Sequence, residues 1–542
     1  MKTKILSFSL TLICSLTLMA QRTTTLRTNN FEAVLCDNGG LFQDYQGVGK
    51  LTIKSPGGQR IMTNGLLWIG AYYNNAQYIA MQKGYNPDFD PLGSKTDFHT
   101  GPISNDFNDP NYINQFVKLW QISRIDIDYH NAHFKEANYL MHSTIRDWPA
   151  HGDTNRGEAF YLAPFHDLDS NGIYEPSLGD YPMIRGDEAV YMIFHDLNRD
   201  IAFSDTNSMG LEIHLMVYAF DQAQVYHLNN SLFLNYRIIN RSNRSYEQFS
   251  TNFYEWLSVG VGWNDLIGSD SSRAMIYAYN RDSTDFGYKG FGNYPGAVAV
   301  YDLDYKANGS LYYNNYIPTV DTNTYYPRNK NHYFNLIQGR WRNGEVLRLD
   351  NPSGLYDTLN GEGYQSSPPF SPQTNWVYND QNNWYNSPNK SEITDCLLRY
   401  TKPSFPPGDT ICWNLAISYA NDSADLNPFA SVVKLKSKSD ALRAFYQAQN
   451  YDCQTYKIGL DEKATLPQIQ VYPQPAQGYL QIEAPYPLQR VELYRLDGQK
   501  CLSLVGNQKK IQVHCAGLAS GIYILRMESK EGEPQTKKIL IQ

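Results

Sequence analysis

The chain has 542 residues, with 46 Lys+Arg against 54 Asp+Glu and a formal net charge of −8. No basic run or stripe offers a phosphate backbone its counter-charge, which excludes a nucleic-acid partner. A chain of this length holds more than one domain and can bury real cores, and 43 Tyr, 38 Gly and only 18% charged residues suit a β-rich extracellular protein.

The first residues, MKTKILSFSLTLICSLTLMAQ, place Lys2 and Lys4 before an apolar stretch from Ile5 to Met19, with Ala20 preceding Gln21. This pattern predicts a signal peptide over residues 1–20, cut after Ala20. A retained anchor is the alternative, but the stretch is short for a span of about 20 residues and rich in hydroxyls. Cys14 is poorly placed for lipid attachment, because Ile13 stands where a small residue is needed. No later stretch is apolar enough to cross a bilayer as a helix, so no transmembrane segment is expected after cleavage.

The body, expected over 21–455, opens its chemistry with HNAHFKE, which sets out His130, His133 and Glu136. The spacing is not that of a zincin helix, so surface or capping histidines are expected. Residues 166–182, HDLDSNGIYEPSLGDYP, are more informative. With Asp167 as the first position of a calcium loop, Asp169, Asn171 and Gly172 fall in register, Ile173 offers a carbonyl and Glu175 follows. The position of the bidentate Glu is taken by Leu178, and Asp180, two residues later, is the candidate replacement. Hard Ca²⁺ takes oxygen donors, whereas transition metals ask for His or Cys. The reading is a structural Ca²⁺ loop on a β scaffold; the alternatives are an Asx-turn bonded to its own backbone and a catalytic carboxylate pair. FHDLNRD echoes it with Asp196, Asn198 and Asp200 but no following glycine, and Asp265 with Asp270, and Asp282 with Asp285, make further acidic turns.

LEIHLMVYAF (211–220), SLFLNYRIIN (231–240) and ICWNLAISYAN (411–421) alternate apolar and polar residues and predict half-buried strands. SKSDALRAFYQAQN (437–450) predicts a helix capped by Ser437 or Ser439, with Leu442, Phe445 and Tyr446 facing a core. Many short strands with few helices argue for a mainly β protein of one or more sandwich-like domains. Six cysteines lie beyond the predicted cleavage point: Cys36, Cys396, Cys412, Cys453, Cys501 and Cys515. Export permits disulfides and an even count allows all of them to pair, as local staples. A polar, irregular linker is expected over 456–467.

Residues 468–542 change character. VYPQPAQGYL, VELYRLDGQK, LASGIYILRM and the closing KKILIQ resemble the type A C-terminal sorting domain of the type IX secretion system of Gram-negative bacteria. Pro473, Pro475, Leu496, Gly498, Gly521, Tyr523, Lys537 and Lys538 match its pattern, and Gln474 replaces the usual Asn between the prolines. The resemblance implies a small immunoglobulin-like β-sandwich, read by the secretion machinery and removed as the cargo is attached to surface lipopolysaccharide or released. Asp497-Gly498 suits a tight turn, and Gly521 is expected to permit close approach before Tyr523. Segments of the body, among them LLWIGAYYNNAQYIAMQKGYNPDFDPLGSK, IRDWPAHGD and GWNDLIGSDSSRAMIYAYNRDSTDFG, resemble large surface proteins that carry the same sorting domain, which names no substrate.

Neither a G-x-S-x-G elbow nor a phosphate-cradling loop occurs, so no catalytic or cofactor-binding residue is assigned. The sequence reads as an exported cell-surface or secreted protein, a calcium-stabilised binding or adhesion protein with a glycan or protein ligand. The alternative is a secreted carbohydrate-active hydrolase acting through carboxylates.

Overall fold

The computed structural model describes residues 22–43, 51–54, 57–82, 96–197, 208–222, 225–262, 265–280, 282–287, 289–314, 327–344, 394–425, 429–449, 451, 469–495, 499–529 and 535–541. The chain divides into two compact units, Met1–Gly459 and Leu460–Gln542. The protein is mainly β, as its alternating segments imply.

The larger unit is built on two antiparallel sheets. The first runs Thr23–Leu26, Phe31–Cys36, Leu51–Ile53, Gln59–Tyr73, Tyr246–Leu257, Thr394–Phe405, Gly309–Asn314, with Ala76–Met81 added beside Gln59–Tyr73. The second runs Asp265–Asp270, Met275–Asn280, Ala297–Asp302, Thr410–Ala420, Ser231–Asn240, Leu211–Ala219, Glu188–His195, His99–Thr100, with Trp120–Ser123 also on Glu188–His195. Leu67, Phe253 and Leu398 from the first sheet and Ile213, Leu215 and Trp413 from the second share one core. Such two-layer packing removes one apolar face of each sheet from water.

The second sheet also buries its other face. Met216, Tyr218, Phe233 and Tyr277 join a second cluster with Ile127, Trp148, Leu162 and Phe165 from the excursion between Trp120–Ser123 and Glu188–His195, and with Leu435, Leu442 and Tyr446 from the helix Phe429–Ala448. This corrects the expectation of half-buried strands: every residue of Leu211–Ala219 is buried, Glu212 and His214 included. Alternation marked two different apolar environments, not core and water.

The helix also departs from expectation. It starts at Phe429, so Ser437 and Ser439 sit inside it, and Ser439 Oγ donates to the Lys436 carbonyl instead of capping. Val432 and Leu435 extend the stripe of Leu442 and Tyr446 by nearly three turns, and that packing carries the helix through the Lys-Ser run. The thiols are corrected as well. Cys412 is disulfide-bonded, but Cys36, Cys396, Cys501 and Cys515 are not.

The smaller unit is a five-stranded sheet ordered Gln470–Gln477, Gln535–Ile541, Gly521–Ser529, Tyr479–Arg495, Lys500–His514. Gln470–Gln477 also pairs with Tyr479–Arg495, which folds the sheet round a core of Leu480, Ile482, Val491, Leu493, Leu525 and Ile539. The ladder of the long strand slips between Glu483 and Leu488, where Pro485 and Pro487 lack N–H donors, so the strand can turn from one layer to the other.

Candidate functional site

Phe165–His166 pairs with Tyr181–Pro182, and this short ladder closes residues 167–180 into a loop. Gly172 at φ 80° and Ser170 at φ 62° turn the chain sharply. Bent backbone leaves N–H groups without ladder partners, and two buried carboxylates take them. Asp167 Oδ1 accepts from Asn171 N at 3.2 Å and Oδ2 from Gly172 N at 2.6 Å. Asp180 Oδ1 accepts from Leu168 N and Oδ2 from Glu175 N, both at 2.8 Å.

Burial acts to raise both carboxyls. At Asp167 the N–H groups of Gly172, Asn171 and Ser170, together with a bond to Asp169, outweigh burial and hold it below the usual carboxylate range. At Asp180 burial prevails and its pKa is raised. Farther out, Asn171 Nδ2 bridges Asp169 Oδ2 at 3.1 Å and Glu175 Oε2 at 2.7 Å, and Asn171 Oδ1 accepts from Ile173 N at 2.7 Å.

Asp169 and Glu175 carry carboxylate oxygens of the kind Ca²⁺ prefers, whereas Asp167 accepts from Asn171 N and Gly172 N with its two oxygens. Asp180 spends each of its oxygens on a backbone N–H, and Leu178 ends a short 3₁₀ turn with its side chain exposed. In this arrangement the Asn171 amide stands where a positive centre is wanted, between two carboxylates; turning that amide over would present Oδ1 instead. Among the described residues, no group of three or more His, Cys, Asp or Glu is gathered tightly enough to hold a metal ion.

The other acidic turns serve the backbone or pair with bases. Asp196 is fully buried and accepts from Met209 N and Leu211 N; Asn198 and Asp200 lie outside the described residues. Asp265 accepts from Val259 N, and Asp270 pairs with Arg273 at 3.0 Å and Lys436 at 2.8 Å. Asp285 accepts from Phe291 N and Val261 N, while the Asp282 carbonyl takes Asn280 Nδ2. His133 reaches Glu136 at 2.9 Å, but His130 is fully buried and meets Tyr139 Oη at 3.0 Å, so the two histidines serve different partners.

One polar network was not legible in the sequence. On the second sheet His214 Nε2 lies 2.9 Å from Glu212 Oε1, and His214 Nδ1 lies 2.9 Å from the Leu162 carbonyl and 2.8 Å from Tyr191 Oη. A carbonyl only accepts, so Nδ1 carries hydrogen. The contact to Glu212 then requires one further proton between Nε2 and Oε1. Burial by itself favours neutral groups, but the His214 bond, the Arg241 guanidinium at 3.6 Å and the Ile103 N–H hold Glu212 below the usual range. Burial also lowers the His214 imidazole, against the raising effect of Glu212, so the pair shares the proton at the Nε2–Oε1 contact. Both side chains are at most 2% exposed, so the network locks the excursion to the sheet and touches no solvent.

In the smaller unit the strand Gly521–Ser529 opens at Gly521, and Tyr523 is buried with its hydroxyl donating to the Ala519 carbonyl at 2.8 Å. Lys537, on the last strand, donates through Nζ to the Ile469 carbonyl and ties the end of the unit to its start. Residues 470–542 match a family model described as "Secretion system C-terminal sorting domain". The smaller unit is a type IX secretion sorting domain. Its presence marks the protein for export to the cell surface or beyond, and the type IX machinery is its partner.

Within the sorting domain, Pro473 and Pro475 lie in Gln470–Gln477 across the break in its ladder, between Tyr472 and Gln477. Leu496 and Gly498 lie outside the described residues, and Lys538 is exposed on the final strand. The close approach expected at Gly521 is not found: a Cβ there would meet nothing within 4 Å.

No curated protein matches the chain in sequence. A solved polysaccharide lyase is matched over 95% of this chain and 47% of its own, at 8% identity and a TM-score of 0.25. The chain thus spans about half the length of that structure, and so low a score establishes no common fold. Among the described residues no helix is long and apolar enough to cross a membrane.

Proposed function

We propose that this is a surface-displayed or released binding protein whose contact surface is the excursion that carries the 167–180 loop. In this reading residues 1–20 are cut away on export, the sorting domain is removed as the body is attached to surface lipopolysaccharide or set free, and Ca²⁺ stiffens the loop.

The observation that carries the reading is where large apolar side chains meet water. In the excursion Leu140 is 89% exposed, Leu168 59% and Leu178 55%, with Tyr129, Ile173 and Phe160 also exposed. Scattered single residues of this kind need no explanation, but their concentration on one excursion of an exported protein supports a docking surface for a glycan or protein. The rigid sheet beneath, locked through Glu212 and His214, supplies the platform.

A glycan array and a broad hydrolase screen on the full mature chain test this. Binding without turnover, lost when Leu168→Ser and Leu178→Ser are combined, is the expected result; turnover abolished by one carboxylate substitution would refute it. For calcium, EGTA is expected to lower Tm by about 3 °C or more. Asp167→Ala with Asp169→Ala should remove that shift. An unchanged melting curve, with no calcium found by elemental analysis of the untreated protein, would retire the ion.

A further inference from the structure

Glu255 lies on the strand Tyr246–Leu257 and is fully buried. It follows Phe253 by two residues, so its side chain shares the face on which Phe253 meets Tyr236 of the second sheet, with ring centroids 6.5 Å apart. Neither Oε1 nor Oε2 has a hydrogen-bond partner. Its place in the ladder is terminal on both sides. Toward Gln59–Tyr73 it pairs with Gly65, after which the register slips, and toward Thr394–Phe405 it forms the last pair, with Cys396. Gly65 is needed there, because a Cβ would come within 2.6 Å of Phe253 Cζ, and it offers the carboxyl no side chain.

An isolated carboxylate in such a place is far more costly than a carboxylic acid, so the group keeps its proton. Burial alone pushes the Glu255 carboxyl well above the usual carboxylate range, and the titratable groups on the packed strands do not offset it. Cys396 is itself pushed up by burial, Glu255 and Asp395, and stays a thiol. Arg60 is answered by Asp265, and burial raises the Tyr236 phenol. We propose that Glu255 is a proton-operated latch: as a neutral acid it closes this end of the first sheet, and when its proton passes to a solvent base the carboxylate draws water in and frees the ladder at Gly65 and Cys396. The folded value lies above the unfolded one of about 4.3. The stabilisation is therefore complete below the unfolded value and is lost as pH rises toward the folded one.

The test compares the full mature chain with Glu255→Gln, which keeps the shape of the side chain and cannot ionise. As pH rises from 5 to 8, the folding equilibrium constant of the parent, from denaturant melts, is expected to fall relative to that of the variant. The fall should be about tenfold per pH unit until the folded value is passed. A difference between the two chains that does not change with pH overturns the latch. Should Glu255→Gln fold poorly, Glu255→Met gives the same comparison with no ionisable atom. Iodoacetamide labelling of Cys396, read by peptide mass, locates the opening. The rate in the parent divided by that in the variant at the same pH cancels the thiolate chemistry, and this ratio is expected to rise about tenfold or more between pH 6 and pH 9. In low urea the rate at Cys396 in the parent should stay level, as for a local opening that exposes little surface. A rate that climbs in step with global unfolding would show the body opening as a whole and overturn the latch, as would a flat ratio.

Discussion

Deletion of residues 466–542 is expected to strand the protein in the periplasm as a folded body, with surface signal reduced to background in fractionation and whole-cell labelling. The physical ground is that the sorting domain is a separate compact unit with its own core. The cut therefore removes a complete module and leaves both sheets of the body intact. A single substitution makes the same point without truncation. Ile539 is 2% exposed on the closing strand, and Ile539→Asp would place a charge in that core, unfold the sorting domain and block delivery while the body stays folded. Normal surface delivery of the truncated chain would refute the role of this unit.

His214→Leu is expected to destabilise the body by about 3–5 kcal/mol, read from denaturant or thermal melts of the mature protein. The substitution removes the proton donor 2.9 Å from Glu212 Oε1 and leaves a fully buried carboxylate with the Ile103 N–H and an Arg241 contact at 3.6 Å. Combining it with Glu212→Leu should recover part of the loss, because the orphaned charge goes with its partner. The pH dependence follows from the direction of the Glu212 shift. Its folded value lies below the unfolded one, so its stabilisation is present above the unfolded value of about 4.3. It is lost as pH falls through the folded value. A His214→Leu variant within about 1 kcal/mol of the parent would show that the network contributes no net stability.

Much of the architecture was legible because local chemistry enforces it. Alternation at Leu211–Ala219, Ser231–Asn240 and Thr410–Ala420 specifies strands, and these three lie side by side in the second sheet. The character of the last segment was readable for the same reason: Gly521, Tyr523 and the basic pair Lys537 and Lys538 have fixed places on late strands of one small fold. The helix boundary was missed because Ser437 and Ser439 look like caps when Val432 and Leu435, which continue the apolar stripe, are left out of the window. At the acidic loop the sequence named the oxygens but not their partners. Whether Asp180 faces an ion or two backbone N–H groups depends on the position of Leu168 and Glu175, twelve and five residues away.

The sequence by itself determined the mainly β composition, the separate sorting domain with the export route it implies, and the oxygen-rich turn at 167–180. Each of these is written in periodicity or in residues close along the chain. Only the tertiary structure decided that the second sheet is covered on both faces, that His214 and Glu212 form one buried proton-sharing pair, and that Asp37 is buried beside Arg22. Those outcomes join residues far apart in sequence: Leu162 meets His214 and Asp37 meets Arg22 only once the sheets assemble. A polar residue on an alternating strand carries no local sign of whether water or a second layer will face it, and that difference sets both its charge and its contribution to stability.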